Sequence, residues 1–185
     1  MELLTPGSLL VSNPEMVDPN FEGSVVLLCS HDEGGAMGVT LNRPMDLTVG
    51  ELLREDAALA GREDPIGWGG PVGLETLHVL HDYADEALSM PIADGLRFGG
   101  DLELVRAAVA SGSRLRFFLG YSGWGEGQLE SELLAGAWRV LPPSEAPHWP
   151  EIWASPPTRQ WERLVAGLDR RYGWMRELPD DPQAN

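Results

Sequence analysis

Apolar positions along the chain fall into short runs, some with the two-residue period of strands and some with the spacing of helices. Residues 24–30 (SVVLLCS) are continuously apolar and rich in β-branched side chains, which predicts a strand buried on both faces. Residues 8–12 (SLLVS) predict a strand before it, and 36–41 (AMGVTL) one after it, joined to the long apolar run as a hairpin through the polar turn His31-Asp32-Glu33-Gly34-Gly35 with a longer loop. Pro44 cannot donate to a ladder, so Asn42-Arg43-Pro44 is read as the end of that strand. Further strands are predicted at 76–81 (TLHVLH), 91–98, 114–119 (RLRFFL) and 138–141.

Helical spacing alternates with these runs. Thr48 and Glu51 have capping-box spacing, Leu52, Leu53 and Leu59 form a stripe, and Gly61 supplies a stop. Asp101 is an N-cap for a helix with Leu102, Leu104, Val105, Ala108 and Val109 on one face, ending at Gly112. A third helix is predicted over 126–134. A fourth starts at Ser155, with Pro156 in its permissive first turn and Trp161, Leu164, Val165 and Leu168 on one side. The interleaving of hairpin-like strands with helices predicts an α+β domain over 1–178 with a mostly antiparallel or mixed sheet and about four helices, followed by a disordered tail at 179–185.

Two glycine-rich corners interrupt the pattern. The stretch 117–138 (FFLGYSGWGEGQLESELLAGAW) reads as strand, corner and helix, and its corner carries Trp124, Gln128 and Glu130. These could hold an anion at the helix N-terminus, or could satisfy local amides. Gly69-Gly70-Pro71 could cradle a phosphate, but it lacks both the Gly-x-x-x-x-Gly-Lys-Ser/Thr and the Gly-x-Gly-x-x-Gly forms, which favours a structural turn. Gly69 and Gly70 stay among the ligand candidates on that footing.

Charge narrows the partners. There are 29 acidic residues against 13 basic ones, all arginine, for a net charge of −16, which works against direct nucleic-acid binding. The one arginine cluster in sequence is Arg159, Arg163, Arg170, Arg171 and Arg176, mixed with acids. A single cysteine, Cys29, excludes an internal disulfide, and its apolar strand marks a buried, inert thiol. No basic signal segment or membrane-length apolar run is present, so the expected location is the cytoplasm, away from the membrane. His78 and His81 alternate to opposite faces of a strand, and with His31 they do not build a metal site; no metal or cofactor is expected. Ser122 lies outside the Gly-x-Ser-x-Gly elbow form. Candidate binding groups are therefore His31, Asn42, Arg43, His81, Trp124, Gln128 and Glu130, with Asn42 and Arg43 foremost because their donors suit an anion or carboxylate. Trp149 and Trp153, in a Pro/Trp-rich loop, are expected to be partly exposed aromatic contacts for a partner.

Several separated segments carry a resemblance: GSLLV at 7–11, DPNF at 18–21, GVTLNRP at 38–44, GGPV at 69–72, LGYSGW at 119–124, GQLESEL at 127–133 and Ala137-Trp138. In this order and spacing, up to about Gly173, they resemble the AlgH/YqgE family of bacterial proteins. The resemblance implies a single cytosolic α+β domain whose sheet folds into a barrel-like form. It implies no accepted catalytic residues and no established activity, and it brings a label of candidate transcriptional regulator linked to alginate production. The leading reading is a non-enzymatic protein that binds a protein or small-ligand partner. The alternatives are a hydrolase-like enzyme with a pocket at Asn42, Arg43 and Glu130, and a regulator that contacts DNA directly.

Overall fold

A computed structural model describes residues 4–84, 88–145, 153 and 159–177. The elements are β1 (Leu9–Ser12), β2 (Val25–Asp32), β3 (Gly35–Thr40), β4 (Pro44–Thr48), α1 (Val49–Leu52), β5 (Pro65–Trp68), β6 (Val72–His81), β7 (Met90–Ala93), β8 (Leu96–Phe98), α2 (Leu102–Ser111), β9 (Leu115–Gly125), α3 (Gln128–Leu134), β10 (Trp138–Leu141) and α4 (Gln160–Leu168), followed by a 3-10 helix (Arg170–Glu177). The sheet order is β10-β1-β2-β3-β9-β6-β8-β7, with β5 pairing parallel to β9 and β4 added to β5. The other described pairings are antiparallel.

The barrel-like expectation is corrected by this order. β10 and β7 are its two ends, and among the described residues no ladder joins them, so the sheet is not closed. It does curl. Register shifts between Leu28 and Ser30 and between Val72 and Leu77 bend it, as bulges do. One inner cluster then draws Leu9, Leu27, Leu80, Ile92, Phe118 and Leu141 from strands at both ends of the order, and Val165 of α4 joins it.

β2 shows why its sequence is unbroken. Val25, Leu27 and Cys29 enter the inner cluster, while Val26 and Leu28 enter a second cluster with Trp124, Leu129 and Trp138 on the other face. Burial pushes the Cys29 thiol far above its ordinary range, which leaves it inert. A third cluster, including Val49, Ile66, Val105 and Phe117, packs α1 and α2 against β5 and β9.

Three local expectations are revised. The hairpin of β2 and β3 is tight, with Asp32 opposite Gly35 and two residues between them. The predicted helix from Thr48 forms its capping box but stops at Leu52. Beyond it the Asp56 carboxylate accepts from the Ala58 amide at 3.0 Å and pairs with Arg106, a local turn that competes with helix. The corner after residue 119 is not a corner: β9 continues to Gly125, because Gly38, Met37, Ala36 and Gly35 of β3 pair with Ser122, Gly123, Trp124 and Gly125. α2 forms as predicted between Asp101, whose carboxylate accepts from the Leu104 amide at 2.9 Å, and Gly112. The predicted start of the last helix at Ser155, the tail from 179 and Trp149 lie outside the described residues.

Candidate functional site: an arginine-lined cleft

β2 separates the residues that the sequence nominated. Asn42 sits at its beginning. The Asn42 Oδ1 accepts from the Val25 amide at 2.8 Å, and its Nδ2 donates to the Gly23 carbonyl at 2.8 Å, so the amide group is consumed in holding the chain entry to β2. His31 lies six positions further on, about 20 Å at the ordinary strand rise. Its Nε2 is 2.8 Å from Glu130 Oε1, and its Nδ1 is 3.1 Å from the Leu4 carbonyl oxygen. Hydrogen bonding from His31 holds the Glu130 carboxyl below its ordinary value. Asn42, Arg43 and Glu130 therefore do not share a pocket, and nothing favours the hydrolase-like alternative that joined them.

The remaining nominees are mostly occupied. Trp124 and Trp138 donate their indole N–H groups to Glu132 Oε2 at 2.9 and 2.7 Å, and Gln128 bridges the Gly125 amide at 3.0 Å to Glu132 Oε1 at 2.9 Å. Glu132 thus organises this corner, a role the sequence reading missed. His81 is fully buried, its Nε2 lies 3.2 Å from the Gly99 carbonyl oxygen, and burial lowers its pKa. Gly69 and Gly70 lie hard against the backbone of β9, where Cβ atoms would fall within 2.2 Å of Gly120 O and 2.1 Å of the Tyr121 carbonyl carbon. That space is filled by the chain itself.

Arg43 is different, because it reaches a cleft. The cleft has a volume of about 430 Å³ and is lined by Arg43, Arg62, Arg114 and Arg116 together with apolar side chains and Asp64. Four of the 13 arginines meet here in a chain of net charge −16. The arginine cluster in space is thus not the C-terminal one suggested by the sequence. Its components come from the end of β3, the loop before β5 and the start of β9. The one sequence signal was Arg114-Leu115-Arg116: on a strand, positions two apart share a face, so both guanidinium groups rise from the same side of β9.

The four differ in how their charge is met. Arg62 pairs with Asp64, its Nη2 donating to Oδ1 at 2.9 Å while its Nε lies 2.7 Å from Oδ2 without hydrogen-bond geometry. Arg114 pairs with Asp82 at 2.7 Å and lies over the ring of Trp153, 5.4 Å from its centre. Trp153 is half-buried and packs against the inner cluster. Arg43 donates to the carbonyls of Pro19 and Glu22 at 3.2 and 2.8 Å and lies over Trp68 at 5.1 Å. Burial lowers its pKa, while the charges of Glu22 and Asp18 oppose that shift. Arg116 donates from Nη2 to the Leu41 carbonyl at 2.6 Å and lies 5.3 Å from the centre of the Phe118 ring. Burial lowers its pKa to about 10, so it is a cation at neutral pH. No carboxylate partners it among the described residues. A desolvated cation without a counter-charge is costly to a fold, and an arginine fork so placed is suited to a carboxylate or phosphate.

Comparison with known proteins covers nearly the whole chain. The AlgH-like (DUF179) family model matches residues 9–173. A UPF0301 protein of Chlorobaculum tepidum is 36% identical over 191 residues, spanning 100% of this chain and 97% of that protein. One from Streptomyces coelicolor is 39% identical over 200 residues, spanning 97% and 94%. The solution structure of the AlgH protein from Pseudomonas aeruginosa has a TM-score of 0.73 at 28% identity over 95% of each chain. A crystal structure of a Corynebacterium diphtheriae protein has a TM-score of 0.69 at 24% identity over 92% of this chain and 91% of that one, a likeness of fold alone. Sequence and backbone agree along nearly the whole length, and the chain belongs to the AlgH-like family.

Proposed function

We propose that this AlgH-like protein is a non-enzymatic, cytoplasmic binding protein whose ligand is a small organic anion held in the arginine-lined cleft. The observation that carries this reading is Arg116, a half-buried guanidinium with one carbonyl, one aromatic face and no carboxylate partner among the described residues. A bound anion would supply the missing counter-charge through charge-assisted hydrogen bonds, the stronger kind. A location in the cytoplasm accords with one buried thiol and with the lack, among the described residues, of any helix long and apolar enough to cross a membrane. Direct contact with DNA is disfavoured by the net charge of −16, since non-specific affinity comes from phosphate neutralisation.

Thermal unfolding of the full chain with a panel of organic anions and their neutral amide counterparts tests this reading. An anion at a hundredfold excess over its Kd is expected to raise Tm by about 5 °C, with no such rise for the amide or for Arg116→Gln. Absence of a shift with every anion, or an equal shift in Arg116→Gln, would overturn it.

A further inference from the structure

We infer that the ligand class of this cleft is a monocarboxylic acid with an apolar body, an aryl or branched-alkyl carboxylate. This rests on the reading that the cleft binds an anion, and it narrows that reading by charge and by shape.

Charge comes first. Arg62 is answered by Asp64 and Arg114 by Asp82, each through a contact of 2.7 Å. Arg43 spends its donors on two carbonyls and lies in the field of Glu22 and Asp18. Arg43 and Arg116 both lack a carboxylate in contact among the described residues, and of the two only Arg116 also stands outside the field of an acid, so a single negative charge on a ligand answers it. A carboxylate carries one negative charge. A phosphate monoester carries about 1.5 to 2 at neutral pH, and its surplus would face Asp64 across the cleft. The planar guanidinium also matches a carboxylate edge to edge. One N–H of Nη2 goes to Leu41, and its second N–H remains to make a two-donor edge with Nε or Nη1, neither of which makes a hydrogen bond among the described residues.

Shape comes second. Beside the guanidinium groups the cleft presents the rings of the exposed Pro44 and Pro65 and of the half-buried Trp153, with the buried Leu41, Ile66 and Phe117 behind its surface. At about 430 Å³ the cleft has room well beyond a headgroup, within the lower range of small-molecule sites. A bare anion would leave those three rings in water, whereas an aryl or branched chain would cover them.

Isothermal titration of the full chain with phenylacetate, acetate and phenyl phosphate tests the class, using wild type, Arg116→Gln and Arg116→Lys. Phenylacetate is expected to saturate one site per chain and to bind about tenfold or more tighter than acetate or phenyl phosphate. Arg116→Gln is expected to weaken phenylacetate by about tenfold or more, and Arg116→Lys, which keeps the charge without the fork, to fall between. If Arg116→Gln does not fold, Arg116→Lys and the wild-type ligand series decide. Acetate matching phenylacetate, or phenyl phosphate exceeding it, would overturn the carboxylate class while leaving an anion site in place. No Arg116-dependent binding of any of the three would overturn both.

Discussion

His31 and Glu130 join the end of β2 to α3, and the same histidine reaches back to the carbonyl of Leu4. Both ring nitrogens face acceptor oxygens. The folded Glu130 pKa is lowered, chiefly by the His31 hydrogen bond. Its contribution to stability is therefore complete above the unfolded glutamate value of about 4.3 and is lost as pH falls through the folded value. Glu130→Gln is expected to be less stable than wild type in urea at pH 5.5, with the gap closing as pH approaches 3. A gap that stays constant or widens in acid would contradict this pairing. Asn42 teaches the complementary lesson at this scale. Its residue type and position suggested a ligand contact, yet both ends of its amide are committed to backbone groups of the Gly23–Val25 entry. Residue type alone does not show which donors the fold has already used.

At the scale of elements, the crossing from β5 to β6 packs backbone against backbone. Thr40 donates to Gly69 O at 2.8 Å, and Gly69 donates to Leu119 O at 2.8 Å, so three strands converge on one glycine pair. Gly70 has φ of +156°, and a Cβ there would stand 2.1 Å from the Tyr121 carbonyl carbon. Gly70→Ala is expected to destabilise by more than about 3 kcal/mol. Gly61→Ala, with nothing within 4 Å of its Cβ, is expected to be neutral or to stabilise by up to about 1 kcal/mol. Chemical denaturation of the two variants checks the contrast, and similar losses in both would contradict it. These glycines also mark where the sequence was and was not legible. β1, β2, β10 and α2 could be read because a local pattern, an apolar run or a cap, agrees with the fold. β4, β5 and the second half of β9 could not, because glycine and proline weaken any local strand signal and the pairing with distant strands overrides it. The cleft was hidden for a related reason. Arg43, Arg62, Arg114 and Arg116 come from separate segments, and only the curl of the sheet brings them together.

For the whole molecule, the charge balance makes Arg116 more telling. With 29 acidic residues against 13 arginines, carboxylates are abundant. Arg62, Arg106, Arg114, Arg159 and Arg171 each have a carboxylate within 3.3 Å. A guanidinium kept at partial burial without one, beside a cleft, is an arrangement that serves a ligand better than it serves the fold. Functional groups held in this way lower stability, and replacing them raises it or leaves it unchanged. The direct measurement is urea unfolding of Arg116→Met against wild type, without added anions. The account predicts a variant no more than about 1 kcal/mol below wild type, since the lost bond to Leu41 is offset by relief of the desolvated charge. A loss of about 3 kcal/mol or more, the size expected on breaking a buried ion pair, would show that Arg116 holds the fold together and would contradict its assignment to a ligand.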